Sequence, residues 1–171
     1  MEKKLREFFD RNFKDAVIRE DNFRDQQSFY IRKDYLLDIC QALLDEQELG
    51  VKFLMDICSL DWLGCPEAEE GRFEIIYNFY SLKHKYRFFL KVRLPGDDPE
   101  IDSISTLWYC ADWLEREVYD LMGIVFTGHP NLTKIVTADD LDGFPLRKDF
   151  PLTYEVPQFT FNKDEPPEVI Q

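Results

Sequence analysis

The strongest constraint on the fold is a two-residue alternation in the middle of the chain. In RFEIIYNFY, residues 72–80, Phe73, Ile75, Tyr77 and Phe79 fall on one side. In YRFFLKVRL, residues 86–94, Tyr86, Phe88, Leu90, Val92 and Leu94 do the same, with Arg87, Lys91 and Arg93 opposite. Successive side chains of a strand point to opposite faces of a sheet, so this pattern predicts half-buried antiparallel strands. The stretch SLKHK between them predicts a hairpin turn with His84 solvated at its tip.

A third strand, KFLMDICSL (52–60), precedes these and is joined to them by the loop GCPEAEEG (64–71). It is apolar on both faces apart from Asp56 and Ser59, which predicts a central place in the sheet. SFYIR (28–32) reads as one more strand. Leu5, Phe8, Phe9 and Phe13 recur at helical spacing and predict a short first helix. A second helix is expected from an N-cap at Asp34 to a stop at Gly50, with Leu36, Leu37, Ile39, Cys40, Leu43 and Leu44 on its apolar face. LPGDDPEIDS (94–103) reads as a proline-bounded loop. The sum is an α+β domain over residues 1–150, with a mixed or mainly antiparallel sheet covered by helices, mainly on one face. From about Pro145 prolines recur, and residues 151–171 are expected to form an extended, proline-containing arm.

Composition narrows the functional classes. The chain is 44% hydrophobic and 15% aromatic, enough for a core without metals or disulfides. Its net charge of −13 argues against nucleic acid and against an anionic bilayer as direct partners. Four cysteines (Cys40, Cys58, Cys65 and Cys110) form no C-x-x-C pair, and the two histidines cannot complete a metal set with them. Cys40 and Cys58 lie on apolar stripes and are expected as small core residues in a reducing compartment. The N-terminus MEKKLREFFDRNF has neither an apolar signal region nor the acid-poor character of a transit peptide. No apolar run approaches the roughly 18 residues of a membrane span.

The segment ADWLEREVYDLMGIVFTGHP predicts a third helix, with Asp112 and Glu115 as a capping box and Gly123 as its C-terminal stop. Leu114, Val118, Leu121 and Met122 share one face with Trp113 on its flank, and Arg116 points away. Glu117 falls inside the apolar arc. A buried carboxylate needs a partner. Two readings are open: an acid–base group working with His129, or a clamp holding the following loops through Arg147 or backbone N–H groups. The clamp is favoured, because structural ion pairs occupy such positions too. No phosphate-binding glycine loop, nucleophile elbow or cofactor motif occurs.

The two stretches WLEREVYDLMGIVFTGHPNL and GFPLRKDFPL, in this order and separation, resemble the 30 kDa, or C, subunit of the proton-pumping NADH:quinone oxidoreductase, respiratory complex I. The residues that carry the resemblance are Glu115, Arg116, Glu117, Asp120, Gly123, Ile124, Gly128, His129, Pro130 and the block Pro145, Leu146, Arg147, Lys148, Asp149, Phe150 and Pro151. Thr133 and Phe144 depart from it, standing where the family usually has Arg or Lys and His. The resemblance implies a non-catalytic subunit of the hydrophilic arm, with no catalytic, cofactor or metal site of its own. It implies packing beside a separate 49 kDa (D) subunit, in a complex that uses FMN, iron–sulfur clusters, NADH and quinone. Its place is then peripheral, on the cytoplasmic side of a bacterial or archaeal membrane. In GFPLRKDFPL the prolines are expected to hold the backbone extended, with Leu146, Phe150 and Leu152 as apolar anchors and Asp149 as a return partner for Arg147 and Lys148. That segment either lies on the D subunit, partly clamped to Glu117, or closes the domain on itself. Two alternatives remain: the equivalent subunit of a membrane-bound hydrogenase or of a ferredoxin- or deazaflavin-dependent complex, and a free-standing acid–base enzyme using Glu117 and His129 in a deep pocket.

Overall fold

The computed structural model describes residues 2–24 and 26–151. Five strands form one mixed sheet in the order β1-β2-β5-β4-β3, where β1 is Val17–Phe23, β2 Gln26–Ile31, β3 Val51–Asp61, β4 Phe73–Ser81 and β5 Tyr86–Leu94. Strands β3, β4 and β5 form an antiparallel meander, and β5 returns to lie parallel to β2. Helices α1 (Glu2–Asn12), α2 (Leu36–Asp45) and α3 (Ala111–Met122) complete an α+β fold. A short parallel pair, β6 (Glu100–Asp102) with β7 (Val125–Thr127), brackets α3.

The alternating strands behave as their pattern requires. Phe73, Ile75, Tyr77 and Phe79 of β4 and Phe88, Leu90 and Val92 of β5 are fully buried in one core. Helix α1 adds Leu5, Phe8 and Phe9, whose Phe9 ring lies 4.3 Å from that of Phe29 on β2. Helix α2 adds Leu36, Ile39, Cys40 and Leu43, while Leu37 points outward. On the opposite face the buried carboxylate of Glu74 is held by Arg93 Nη2 at 3.0 Å, Lys91 Nζ at 3.5 Å and the Trp62 indole N–H at 3.2 Å. A buried charge persists only with such partners.

Strand β3 corrects the sequence reading, for it is an edge strand and not a central one. Two register shifts, at Val51/Phe53 and Leu54/Asp56, break its alternation. The buried apolar positions become Val51, Leu54 and Ile57, with Asp61 buried at the strand's end, while Phe53, Met55, Cys58 and Leu60 are exposed. Cys58 is therefore not a core residue. The outer backbone edge of β3 is covered from the segment before α3: the Trp108 indole N–H donates to Lys52 O and the Cys110 thiol to Leu54 O. The other edge, β1, is protected by charge and by an irregularity at Val17/Arg19, both of which discourage further strand pairing. β1, β6 and β7 were not foreseen. The second helix starts after a 3-10 turn (Lys33–Tyr35) without a side-chain cap, so Asp34 does not cap it, and it ends at Asp45, five residues before Gly50. His84 is not simply solvated, since its Nε2 lies 2.7 Å from Glu48 O.

The hydroxyl of Tyr77 is buried and finds no hydrogen-bond partner among the described residues. Such an orphan costs about 1–3 kcal/mol. A Tyr77→Phe substitution should therefore leave stability unchanged or raise it by about 1 kcal/mol in urea unfolding. A clear loss of stability would show that the hydroxyl is bonded in solution.

Candidate functional site

Most of the residues singled out in the sequence lie where α3 meets the sheet and the segment 143–151. Helix α3 ends at Gly123 in a left-handed conformation (φ 69°), as its glycine predicted. A Cβ there would lie 2.5 Å from the Phe144 ring and 2.6 Å from Arg147 Nη2, so only glycine fits. Arg147 caps this helix end. Its Nε donates to Met122 O at 2.6 Å and its Nη2 to Gly123 O at 3.3 Å, where unpaired carbonyls and the helix dipole favour a cation. The guanidinium also lies over the rings of Phe144, at 4.3 Å, and Phe73, at 5.0 Å.

Segment 143–151 is not extended as expected. It folds as consecutive turns, with Arg147 N–H donating to Phe144 O and Phe150 N–H to Arg147 O, while Leu146 N–H reaches Leu121 O. Phe150 is half-buried and packs near Gly143, whereas Leu146 is exposed; Leu152 lies outside the described residues. The segment is fastened to the end of β3 through Asp61. That carboxylate accepts both nitrogens of the Arg72 fork (3.1 and 2.9 Å), Leu63 N–H (2.9 Å) and Lys148 N–H (3.0 Å). Arg72 in turn pairs with Asp149 at 2.8 Å, and Lys148 Nζ donates to Leu63 O and to Cys65 Sγ. Asp149 is thus the return partner of Arg72, not of Arg147 or Lys148. Burial works against the Asp61 charge, but the Arg72 fork and the two N–H donors outweigh it and lower its pKa to about 2.

The carboxylates of α3 also differ from their predicted roles. Glu117 is exposed and touches neither Arg147 nor His129, so it is not the clamp, and it cannot form a buried acid–base pair. The buried carboxylates of this helix are Glu115 and Asp120, both 0% exposed. Glu115 is no cap residue, and Asp112 is not the N-cap, because α3 begins at Ala111 behind Cys110 with no side-chain cap. Instead Glu115 accepts Ile104 N–H at 2.8 Å and the Ser103 hydroxyl at 2.6 Å, tying α3 to the loop after β6. Burial, with a smaller push from Asp112, raises its pKa to about 7 despite those two bonds. Asp120 accepts the N–H groups of Ile135, Val136 and Thr137 and the Thr137 hydroxyl. Burial opposes its charge, yet the hydroxyl and three N–H donors lower its pKa to about 2.

His129 has a fully buried side chain. Its Nδ1 accepts Asn131 N–H at 3.0 Å, which leaves the proton on Nε2 to donate to Asp112 O at 3.1 Å. Asp112 Oδ1 lies close at 3.2 Å but gains no hydrogen bond, and Glu115 Oε2 is 3.9 Å away. Pro130 is exposed beside it. Arg116 leaves the buried side of the helix as predicted and binds Thr133 through its carbonyl (3.1 Å) and hydroxyl (2.8 Å). The pattern missed Asp61 and Arg72, which belong to neither of the two family stretches and lie at the two ends of the β3–β4 loop. An acid and a base flanking that loop, GCPEAEEG, are the only signal that pointed to them.

The fold and these clamps define an α+β module whose buried polar groups hold its loops against one helix and one sheet edge. Residues 29–156 match the family described as respiratory-chain NADH dehydrogenase, 30 Kd subunit. Over 150 residues the chain is 41% identical to the C subunit of the NADH-quinone oxidoreductase of Roseiflexus sp. (strain RS-1), covering 88% of this chain and 84% of that protein. Its fold matches the trypsin-resistant fragment (1-134) of Nqo5 with a TM-score of 0.61 at 32% identity, over 75% of this chain and 98% of the other. A chain of the membrane-bound sulfane sulfur reductase, an archaeal respiratory membrane complex, matches with a TM-score of 0.74 at 20% identity, over 89% and 86% of the two chains, which is a likeness of fold. The chain belongs to the respiratory-chain NADH dehydrogenase 30 Kd subunit family.

Substitutions at two residues test the clamps. The folded-state pKa of Glu115 lies above its ordinary value of 4.5, so its contribution is complete below about pH 4.5 and is lost as pH rises through about 7. Glu115→Gln keeps an acceptor for Ile104 and presents an NH2 donor to Ser103, whose hydroxyl then accepts where it had donated. It should match wild type near pH 4 and exceed it by about 2–3 kcal/mol above pH 8 in urea unfolding; a parallel pH profile for the two proteins would remove Glu115 as the source. Arg147→Ala should cost about 1–3 kcal/mol, because it uncovers two carbonyls and two ring faces. Arg147→Lys should recover only part of this, since an ammonium has no fork to span both carbonyls. Full recovery by Lys would reduce the role of Arg147 to charge alone.

Proposed function

We propose that this chain is a non-catalytic packing subunit of the peripheral arm of proton-pumping NADH:quinone oxidoreductase. It supports electron transfer from NADH to quinone by packing on the 49 kDa (D) subunit, on the cytoplasmic side of a bacterial or archaeal membrane. FMN and the iron–sulfur clusters of the complex are carried by other subunits. The observation that carries this reading is how the family residues are used. Glu115, Asp120, Arg147, Lys148 and Asp149 each make bonds within the chain that fix a loop or a helix end. Such bonds set a surface in place before a partner arrives, which lowers the entropic cost of docking. No helix among the described residues is long and apolar enough to cross a membrane, so attachment through partner subunits fits the chain.

The test is a native gel of detergent-solubilised membranes from the source cell, with the chain located by mass spectrometry and NADH-dehydrogenase activity by staining. The chain is expected in a very large, NADH-staining assembly, with cross-links to the D subunit. A large assembly without NADH staining would replace the electron donor by a hydrogenase or a ferredoxin-type system. Migration alone at its own 20.5 kDa would overturn the subunit reading.

A further inference from the structure

The outward side of α3 carries more exposed aromatic surface than the stability of the chain explains. Tyr109, in the turn that leads into α3, is 91% exposed; Trp113, in the first turn of the helix, is 61% exposed, and Glu117 follows it four residues on, also exposed. Residues spaced by four share one side of a helix. Two further apolar side chains are fixed beside this helix by its own groups. Asp120 holds Val136, 61% exposed, and the carbonyl of Leu121 holds Leu146, 59% exposed. Trp113 is itself oriented, since the Arg116 guanidinium lies 5.0 Å from its ring centre while its fork is bound to Thr133. An aromatic ring held in position loses little freedom on binding, and exposed Trp and Tyr of this kind dominate interface energetics.

Carboxylates outnumber cations on this side of the chain. Glu117, Asp139, Asp140 and Asp142 are exposed, and none of the four has an ion pair among the described residues. Two cations stand among them, Arg116 bonded to Thr133 and Lys134 to Leu141 O at 2.7 Å; these acceptors are uncharged, so the rim is acidic by excess, four carboxylates to two cations. Apolar anchors inside an acidic rim call for a partner with apolar pockets ringed by Lys and Arg. A second copy of this chain, at net charge −13, lacks that complement.

We propose that the outward side of α3, with Tyr109 and Trp113 as anchors and Glu117 and the 139–142 carboxylates as rim, docks onto a basic, apolar-pocketed surface of another subunit of the complex. This rests on the subunit reading above and adds which face of the chain makes the contact. The anchors enter the pockets, and the rim sets orientation and the salt dependence of assembly.

The experiment places p-benzoylphenylalanine at Tyr109 and, as a control, at the equally open Leu82 of the β4–β5 turn (67% exposed). Both proteins are expressed in the source cell, irradiated in intact membranes and analysed by mass spectrometry. The Tyr109 probe is expected to join a second subunit at a peptide containing Lys or Arg, and the Leu82 probe to give no such adduct. In parallel, Trp113→Gln and Glu117→Lys should each lower the fraction of the chain in the large assembly, by at least about tenfold for Trp113→Gln. The melting temperatures of the isolated variants should stay at the wild-type value. If wild type is in the assembly while the Tyr109 probe gives no adduct and Trp113→Gln assembles normally, the α3 face is not the contact. If wild type is absent from the assembly, the subunit reading itself has failed. Cross-linking of the Tyr109 probe to a second copy of this chain, or to its own residues 152–171, would also overturn the proposal.

Discussion

The side chain of Asp61 joins parts of the chain that no apolar contact would hold. Its two oxygens receive the Arg72 fork, the turn at Leu63 and the backbone of Lys148, all at the end of an edge strand. Segment 143–151 has little apolar burial of its own, with Phe144 and Phe150 only half-buried. Its position therefore follows from directed bonds rather than from hydrophobic area. Through Arg147 the same segment fixes the end of α3, and through Glu115 and Asp120 the helix fixes the loops on both of its sides. The order of dependence runs from sheet edge to segment, from segment to helix, and from helix to the loops that frame its outward side.

Much of the scaffold was legible because it is set by period. Strands β4 and β5 alternate without interruption, and each alternate residue lies where the pattern places it. β3 imitates a central strand because two register shifts break its alternation and leave apolar residues on both sides. β1 escaped notice because its sequence, VIREDNF, is dominated by the charges that suit an unpaired edge.

The clamps were not legible, and the reason is geometric. A helical wheel gives the angle of a residue around its own axis but not what covers that angle. Loops return over α3 at 103–105 and at 133–137, so it is buried on sides its own sequence leaves polar, and Glu115 and Asp120 are enclosed. Glu117, which the wheel placed in the apolar arc, stays outside these returns. The ion pair of Arg72 with Asp149 spans 77 positions, a separation at which sequence pattern carries no signal. The residues of the family motif lie at these junctions, with partners other than those expected of Glu117, Asp149 and Arg147.

The three carboxylates that fasten these loops, Asp61, Glu115 and Asp120, differ in charge state, and the balance between burial and bonded donors decides which way each shifts, with burial deepest around Glu115 and the Arg72 charge added at Asp61. Asp61 and Asp120 each receive four hydrogen bonds, and both titrate near 2. Glu115 receives two and faces the carboxylate of Asp112, and its burial wins. A folded-state pKa depressed below 3.8 makes a contribution that is present at neutral pH and lost only as pH falls towards 2. The attachments of residues 135–137 and of segment 143–151 are therefore constant across physiological pH. Of these three attachments only the junction of α3 with the loop after β6 varies there, and it lies at the helix start, next to Trp113. A surface that presents Val136 and Leu146 thus rests on charges that do not titrate in the cell, whereas the aromatic end of the same helix sits against the one junction that does.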